Sequence, residues 1–189
     1  MIIDLKELGL QNIKDYCFLY GYYEPTLLIL HETEKTCSSR ILLKSNTCTV
    51  TAISLDVVRG HYPVIWTVKN LPNEAYQLIP LSDPFGGALV LSFDSILHVN
   101  QRLTYGISFN DFIKYSESNL PIKLDRSEEG ISLDTNSYTF LSKERILLSI
   151  ENDLYVLNLS MQNRILNKMI LKKVSNQIEA SCVRKKKKK

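Results

Sequence analysis

Two stretches of the chain share one strand–turn–strand pattern, and this repeat constrains the fold more than any other feature. LVLSFDSILHVNQ (Leu89–Gln101) and ILLSIENDLYVLNLS (Ile146–Ser160) each place an apolar strand, a tight acidic turn and a second apolar strand in that order. Each second strand ends near an asparagine, Asn100 or Asn158. Antiparallel hairpins that recur at this interval are typical of β-propeller blades, which span ~40–50 residues each.

Unbroken apolar runs support the same fold. Tyr16–Leu19, the turn GYYEP and Thr26–His31 form a weaker third copy of the hairpin, and the second strand contains the run Leu27–Leu30. Leu89–Leu91 is a similar run. A strand with one wet face alternates apolar and polar residues, whereas a strand covered on both faces does not. We therefore predict that these strands lie between neighbouring blades.

The rest of the chain also favours short strands over helices. Turn formers such as Pro72-Asn73, Asp83-Pro84 and Gly86-Gly87 separate segments rich in β-branched and aromatic residues. Helix-like patterns occur only in the first dozen residues and at Asn110–Tyr115. The fold class predicted is all-β, an incomplete propeller of about three to four blades. Its predicted strands are Lys14–Leu19, Thr26–His31, Arg40–Lys44, Thr47–Asp56, Val64–Val68, Tyr76–Pro80, Ala88–Phe93, Ile96–Asn100, Tyr105–Ser108, Ile131–Leu133, Tyr138–Leu141, Ile146–Ile150, Leu154–Leu159 and Leu166–Lys172.

The charge of the chain depends on its last six residues. The net charge is +3, but Arg184–Lys189 are all basic, and without them 17 basic residues face 20 acidic ones. We assign residues 1–183 to the partial propeller and interpret the tail as translated poly(A), since AAA encodes lysine. A nuclear-localisation patch and a flexible arm that contacts phosphate are the alternatives. We expect a set of blades this open to self-associate when expressed alone.

No residue pattern predicts catalysis, a metal site or a cofactor site. The four cysteines are scattered without a CxxC pair, and His31, His61 and His98 are isolated. Glu128-Glu129 is interpreted as a solvated loop, because nothing nearby would separate the two pKa values. His61 is expected to be hydrogen-bonded at a blade edge. No apolar stretch approaches the ~20 residues of a membrane span, so we expect no membrane partner.

Aromatic residues and loops are the remaining candidates for binding. Single-stranded nucleic-acid binders interleave aromatics with Lys and Arg, but only Arg59 and Lys69 lie near Trp66. We therefore predict that Trp66, Tyr62, Tyr22 and Tyr23 pack within the propeller, with an RNA-stacking platform as the alternative. Protein–protein contact through rim loops is the preferred function. The sequence alone does not choose among Thr33–Ser39, Arg59–Pro63, Leu81–Pro84 and Asn119–Gly130.

Several longer segments of the sequence resemble one protein family. GYYEPTLLILHE, TCTVTAISLDVVRGHYPVIWTVKNLP, GGALVLSFDSILHVNQ and YGISFN occur in the order and spacing of one family, and GISLDTNSYTFLS and ENDLYVLNL agree more weakly. In these segments the chain resembles the large scaffold subunit of cleavage and polyadenylation specificity factor (CPSF), a family of triple β-propellers. The resemblance covers nearly all of the chain except the lysine tail.

This resemblance implies a function that the residues alone do not. It implies a nuclear, non-enzymatic scaffold that holds a WD-repeat subunit and a zinc-finger subunit, the two that recognise the polyadenylation signal. Contact with pre-mRNA would be indirect. The chain would form the later part of the family's first propeller. Related triple-propeller scaffolds, such as the damaged-DNA-binding ubiquitin-ligase adaptor and a splicing-factor relative, are alternatives that share the fold but lack HYPVIW and GYYEP.

Overall fold

The computed structural model describes residues 3–35, 37, 39, 46–57, 59–109, 121–124, 131–133, 137–150, 152–162 and 165–174. Strands dominate these ranges and follow one another in three sheets. The strands are β1 (Ile13–Leu19), β2 (Thr26–Glu32), β3 (Cys48–Ser54), β4 (Val64–Leu71), β5 (Gln77–Pro80), β6 (Ala88–Leu91), β7 (Ser95–Val99), β8 (Thr104–Ser108), β9 (Ile122–Leu124), β10 (Ser137–Ser142), β11 (Arg145–Ile150), β12 (Asp153–Gln162) and β13 (Ile165–Lys173).

Each sheet is built from strands that are consecutive in the chain. The first sheet has the order β1-β2-β3-β4, the second β5-β6-β7-β8-β9 and the third β10-β11-β12-β13. Neighbours are antiparallel except β9, which pairs parallel to β8. This confirms the all-β prediction, and three meandering sheets in chain order form a partial propeller.

The second sheet lies between the other two. Along β6, Ala88 and Val90 belong to a core cluster with the first sheet, including Leu28 and Leu30. The alternate β6 residues, Leu89 and Leu91, belong to a second cluster with residues of the third sheet. The apolar run in β6 therefore fails to alternate because both of its faces are covered, as predicted.

The run Leu27–Leu30 in β2 is also covered on both faces, but only one cover is a neighbouring sheet. Leu28 and Leu30 pack toward the second sheet. Ile29 packs with Ile53 of β3 and with Leu10 from the N-terminal segment, against which Leu5 and Leu8 also lie. The prediction that blades cover both faces was thus wrong for β2, because the chain that precedes β1 folds back over the outer face.

That N-terminal segment is a single capped turn rather than the helix-like element suggested by its sequence. The Asp4 side chain accepts a hydrogen bond from Lys6 N over 2.9 Å, as an N-cap does. Gly9, at φ 72°, ends the turn. Its N–H donates to Lys6 O and the N–H of Leu10 donates to Leu5 O, each over 2.9 Å, which is the Schellman pattern of a helix end. Caps this close together leave room for one turn.

The strand predictions hold for most described segments, with two corrections. Ile131–Leu133 forms no strand: Ile131 and Leu133 are buried in the core, Leu133 N donates to Phe93 O over 2.8 Å, and Leu133 O accepts from the Tyr76 hydroxyl over 2.5 Å. Conversely, the predicted loop Asn119–Gly130 contains β9. The predicted strand Arg40–Lys44 and the helix-like window Asn110–Tyr115 lie outside the described residues.

The predicted repeat is real for two hairpins and offset for the third. The β6–β7 and β11–β12 hairpins each supply the second and third strands of a sheet. The β1–β2 hairpin supplies the first and second strands, so it matches β5–β6 instead. The two asparagines also differ. Asn100 Oδ1 accepts hydrogen bonds from Arg102 N and Leu103 N in a turn, whereas Asn158 lies inside β12.

Candidate interaction surface at the first strands

The first strand of each sheet is an edge strand, and residues from all three meet at a cleft. β1, β5 and β10 stand at the start of their sheets. Between them lies an open cleft of about 440 Å³, which we call the first-strand cleft. Its lining residues come from the residue after β1, from β5 and the loop after it, and from β10: Tyr20, Pro80, Ser82, Tyr138, Thr139 and Phe140.

The strand register aligns the aromatic rings of β10. Tyr138 is paired with Leu148 and Phe140 with Ile146, so both rings lie on the face of the third sheet that packs toward the second. The two rings contact edge to face, with centroids 6.0 Å apart and planes at 90°. They are 36% and 44% exposed, and Tyr20 opposite them is 56% exposed. The cleft is therefore an accessible aromatic surface on a sheet framework.

The electrostatic environment of the cleft is uncharged to acidic. None of its lining residues carries a formal charge. Burial raises the pKa of Tyr138, and electrostatic interactions with Cys17, Asp15 and Tyr20 raise it further, so this hydroxyl stays protonated at neutral pH. Asp83 adjoins the cleft, because a Cβ added at Gly21 would lie 3.7 Å from Asp83 Oδ1 and Gly21 follows Tyr20. Asp15 and Asp83 are thus acidic neighbours of the cleft.

Two of the four predicted partner loops lie at one rim. Neighbouring strands of a meander alternate in direction, so the β1–β2 and β3–β4 connections share one end of the first sheet. Arg59–Pro63 belongs to the β3–β4 connection. Leu55, at the start of that connection, donates its N–H to Pro25 O in the β1–β2 connection over 2.9 Å. Leu81–Pro84 follows β5 and contributes Ser82 to the first-strand cleft. It contains a cis peptide bond between Asp83 and Pro84.

One other predicted loop lies away from this rim. Thr33–Ser39 connects β2 to β3 and therefore lies at the opposite end of the first sheet. Its described residues are exposed. The described part of Asn119–Gly130 is Pro121–Leu124, most of which is β9. Topology thus separates loops that the sequence could not rank.

The four aromatic residues proposed for RNA stacking do not form a platform. Trp66 is buried in the core between the first and second sheets, and its Nε1 donates to Tyr22 Oη over 2.7 Å. Tyr62 packs instead against the cluster on the outer face of the first sheet. Tyr23 is fully exposed. The predicted packing role is therefore correct for Trp66, Tyr22 and Tyr62, and Tyr23 stands apart.

A largely buried polar cluster in and beside the first sheet joins Lys14, Glu32, Thr47 and Cys48. Lys14 Nζ lies 3.0 Å from Glu32 Oε1, and Thr47 Oγ1 donates to the same oxygen over 3.3 Å. Burial lowers the pKa of Lys14, but its hydrogen bond to Glu32 and the neighbouring charges outweigh this, and the pKa is raised overall. Burial raises the pKa of Cys48 to about 11, so this thiol is protonated at neutral pH. The cluster is built for structure, not for nucleophilic chemistry.

The remaining sequence candidates do not assemble into a reactive site in the described residues. His61 is exposed, and its backbone pairs with Asp56 in an isolated bridge. Glu128 and Glu129 lie outside the described residues. Where the chain is described, no group of three or more His, Cys, Asp or Glu could hold a metal ion. Among the same residues, no helix has the length and hydropathy needed to cross a membrane.

Comparison with characterised proteins connects this fold to a family. No family model matches the chain. The chain is 36% identical to cleavage and polyadenylation specificity factor subunit 1 of Drosophila melanogaster, over 96% of this chain and 13% of that protein. The counterpart from Arabidopsis thaliana is 33% identical, over 95% of this chain and 12% of its own length.

The chain is a partial homologue of cleavage and polyadenylation specificity factor subunit 1. This confirms the resemblance drawn from GYYEPTLLILHE and the words that follow it. The chain spans about an eighth of the length of these relatives.

Sequence reasoning missed the first-strand cleft. The available signal was an aromatic residue at every second position in or next to the first strands, at Tyr16–Tyr20 and again at Tyr138–Phe140. It was overlooked because aromatics are common in strands generally. Only the meeting of three first strands makes these rings neighbours.

Proposed function

We propose that this chain forms part of a non-enzymatic scaffold subunit of the machinery that cleaves and polyadenylates pre-mRNA 3′ ends. The observation that carries the proposal is 36% identity to a CPSF subunit 1 along 96% of the chain. The relatives are named as subunits of a specificity factor, which fits a role in organising other proteins. Three sheets stacked on shared cores supply a rigid frame, and the rim loops supply variable contact surface.

The finer parts of the proposal concern the domain, the compartment and the partners. Residues 1–183 form the partial propeller, and residues 184–189 are a tail encoded by poly(A). The full protein acts in the nucleus, where it holds the WD-repeat and zinc-finger subunits of CPSF. Those subunits contact the polyadenylation signal, so the scaffold meets pre-mRNA indirectly.

Affinity purification of the full-length protein from nuclear extract tests the scaffold role. Mass spectrometry is expected to recover the WD-repeat and zinc-finger subunits of CPSF in near-equal amounts. Recovery of cullin ubiquitin-ligase components, or of splicing factors, in their place would reject this role and favour a related triple-propeller scaffold.

RNA binding by the 189-residue chain tests the indirect contact. We expect the chain to bind a polyadenylation-signal RNA only through its basic tail, and therefore to lose binding when Arg184–Lys189 are removed. Salt-dependent affinity that survives this removal would show a direct RNA site on the propeller and would contradict the proposal.

A further inference from the structure

We propose that the first-strand cleft binds a proline-rich segment of a partner protein in the polyproline II conformation, with a basic residue of that segment placed at Asp83. This inference rests on the cleft alone and does not depend on the scaffold role. It commits to a peptide ligand, and nucleic acid and a second copy of this chain become outcomes of the test.

The shape and lining of the cleft suit such a ligand. Tyr138 and Phe140 form an edge-to-face pair with centroids 6.0 Å apart, and Tyr20 and Pro80 also line the cleft. Polyproline II helices present flat, apolar proline rings with three residues per turn, and they dock in grooves lined by aromatic side chains. The rings are held on strands, so the surface is preformed and loses little conformational entropy on binding.

The hydrogen-bonding groups of the cleft are hydroxyls that can donate. Tyr20, Ser82, Tyr138 and Thr139 each contribute one. A proline-rich segment lacks many backbone N–H groups and leaves its carbonyls without internal partners, so it is rich in acceptors. The raised pKa of Tyr138 keeps its hydroxyl in the donating form. Donors on the protein therefore match acceptors on the ligand.

Charge decides between a peptide and a nucleic acid. The lining residues carry no formal charge, Asp15 acts on Tyr138 from β1, and the exposed Asp83 adjoins Tyr20 through Gly21. A phosphate backbone needs Lys or Arg, which this lining does not supply. Acidic side chains beside an aromatic groove instead favour a ligand with a Lys or Arg beside its prolines.

Fluorescence anisotropy with the 189-residue chain at low micromolar concentration is the test. The probe is a labelled peptide of sequence Pro-Pro-Leu-Pro-Pro-Arg-Pro, and the control peptide has alanine at every proline position. We expect saturable binding of the probe and about tenfold weaker binding of the control. The control peptide lacks both the preformed polyproline II conformation and the proline rings that would pack in the cleft. Equal binding of the two peptides, or no binding of either, overturns the proposal.

Matched variants locate the site. Phe140→Ala is expected to weaken binding about tenfold, as loss of a buried aromatic contact does. Tyr138→Phe removes one hydroxyl with little risk to folding, and Asp83→Asn removes the charge; each is expected to cost about threefold. Tyr23→Ala is the control, since Tyr23 is fully exposed and outside the lining. Unchanged binding in all three cleft variants would overturn the proposal.

Two further measurements exclude other occupants. A labelled single-stranded RNA of ten uridines is expected to show no binding that Phe140→Ala reduces. Sedimentation velocity is expected to give the same self-association for the natural chain and for Phe140→Ala. An effect of this substitution on RNA binding or on self-association would assign the cleft to RNA or to a second copy, and would overturn the peptide proposal.

Discussion

β6 in the second sheet and β12 in the third are both apolar inner strands, but they bury their side chains differently. Every residue of β6 is buried. Along β12, the buried residues Tyr155, Leu157 and Leu159 alternate with partly exposed ones. The described chain places a sheet on each side of β6, whereas β12 packs its apolar residues on one side only. Burial, rather than the sequence, separates the two strands: Leu154–Leu157 in β12 is apolar throughout, yet its residues alternate between exposed or half-buried and buried.

The largest predicted effect is the removal of a side chain from the doubly covered strand. Leu89→Ala leaves a cavity in the core shared by the second and third sheets, and it should lower the free energy of unfolding by about 2–5 kcal/mol. Leu154→Ala is the matched control, because Leu154 in β12 is 38% exposed; it should cost less than about 1 kcal/mol. Urea denaturation measures both, and equal costs would remove the distinction between the two strands.

A second prediction concerns how closely the loop before β6 approaches β7. A Cβ added at Gly87 would lie 2.2 Å from Val99 O, and its φ of +66° is left-handed. Gly87→Ala should therefore cost about 3 kcal/mol or more, as strain adds to the clash. Gly86 has a similar φ of +62° but nothing within 4 Å. Gly86→Ala should cost about 1–2 kcal/mol. Urea denaturation that gives the two variants equal losses of unfolding free energy would contradict the close packing at Gly87.

A third prediction uses the thiols of the first sheet. Burial raises the pKa of Cys17 to about 12, and that of Cys48 to about 11, from 9.0. An acid whose folded pKa is raised stabilises the fold fully below pH 9 and loses that contribution as the pH rises through 11 to 12. The unfolding free energy should decline above pH 9, and less steeply in a Cys17→Ala, Cys48→Ala double variant. An unchanged alkaline slope would show that these thiols are not buried.

A smaller effect is expected at acidic pH from histidines in the covered strands. Burial lowers the pKa of His31 in β2 and of His98 in β7, although a bond to Gly86 O partly opposes this for His98. A lowered folded pKa means that stability is present above pH 6.5 and is lost as the pH falls through the folded pKa. His98→Gln should flatten the decline below pH 6.5. Urea denaturation at pH 7.5 and pH 5.5 measures the decline, and an unchanged decline in His98→Gln would contradict the burial of His98.

The pattern of residues predicted the strands well and their covers less well. Continuous apolar runs in β2 and β6 correctly indicated burial on both faces, because periodicity depends only on which faces are dry. The apolar run in β2 does not indicate that Leu10, rather than another blade, covers Ile29. Any apolar surface packed on this face would select for the same residues. The sequence predicted a helix-like element in the first dozen residues, whereas in the structure a Schellman turn at Gly9 ends it after one turn.

The candidate surface was harder to predict because it depends on tertiary contacts. Tyr20 and Tyr138 are far apart in the chain, and nothing local distinguishes them from Trp66 and Tyr62, which are packing residues. The family resemblance came from uncommon sequence motifs such as HYPVIW. Such motifs identify homologues but do not assign a role to their residues. Fold class and family were thus accessible from the sequence, and the first-strand cleft was not.

Hydrogen exchange measured by mass spectrometry tests the stacking of the three sheets most directly. The β6–β7 and β11–β12 hairpins hold the same positions within their sheets, and both are antiparallel, but their covers differ. We expect amides of Ala88–Val99 to exchange about tenfold or more slowly than those of Arg145–Leu159, because the doubly covered strands open only when the core unfolds. Equal rates, or slower exchange in Arg145–Leu159, would contradict a second sheet held between two neighbours.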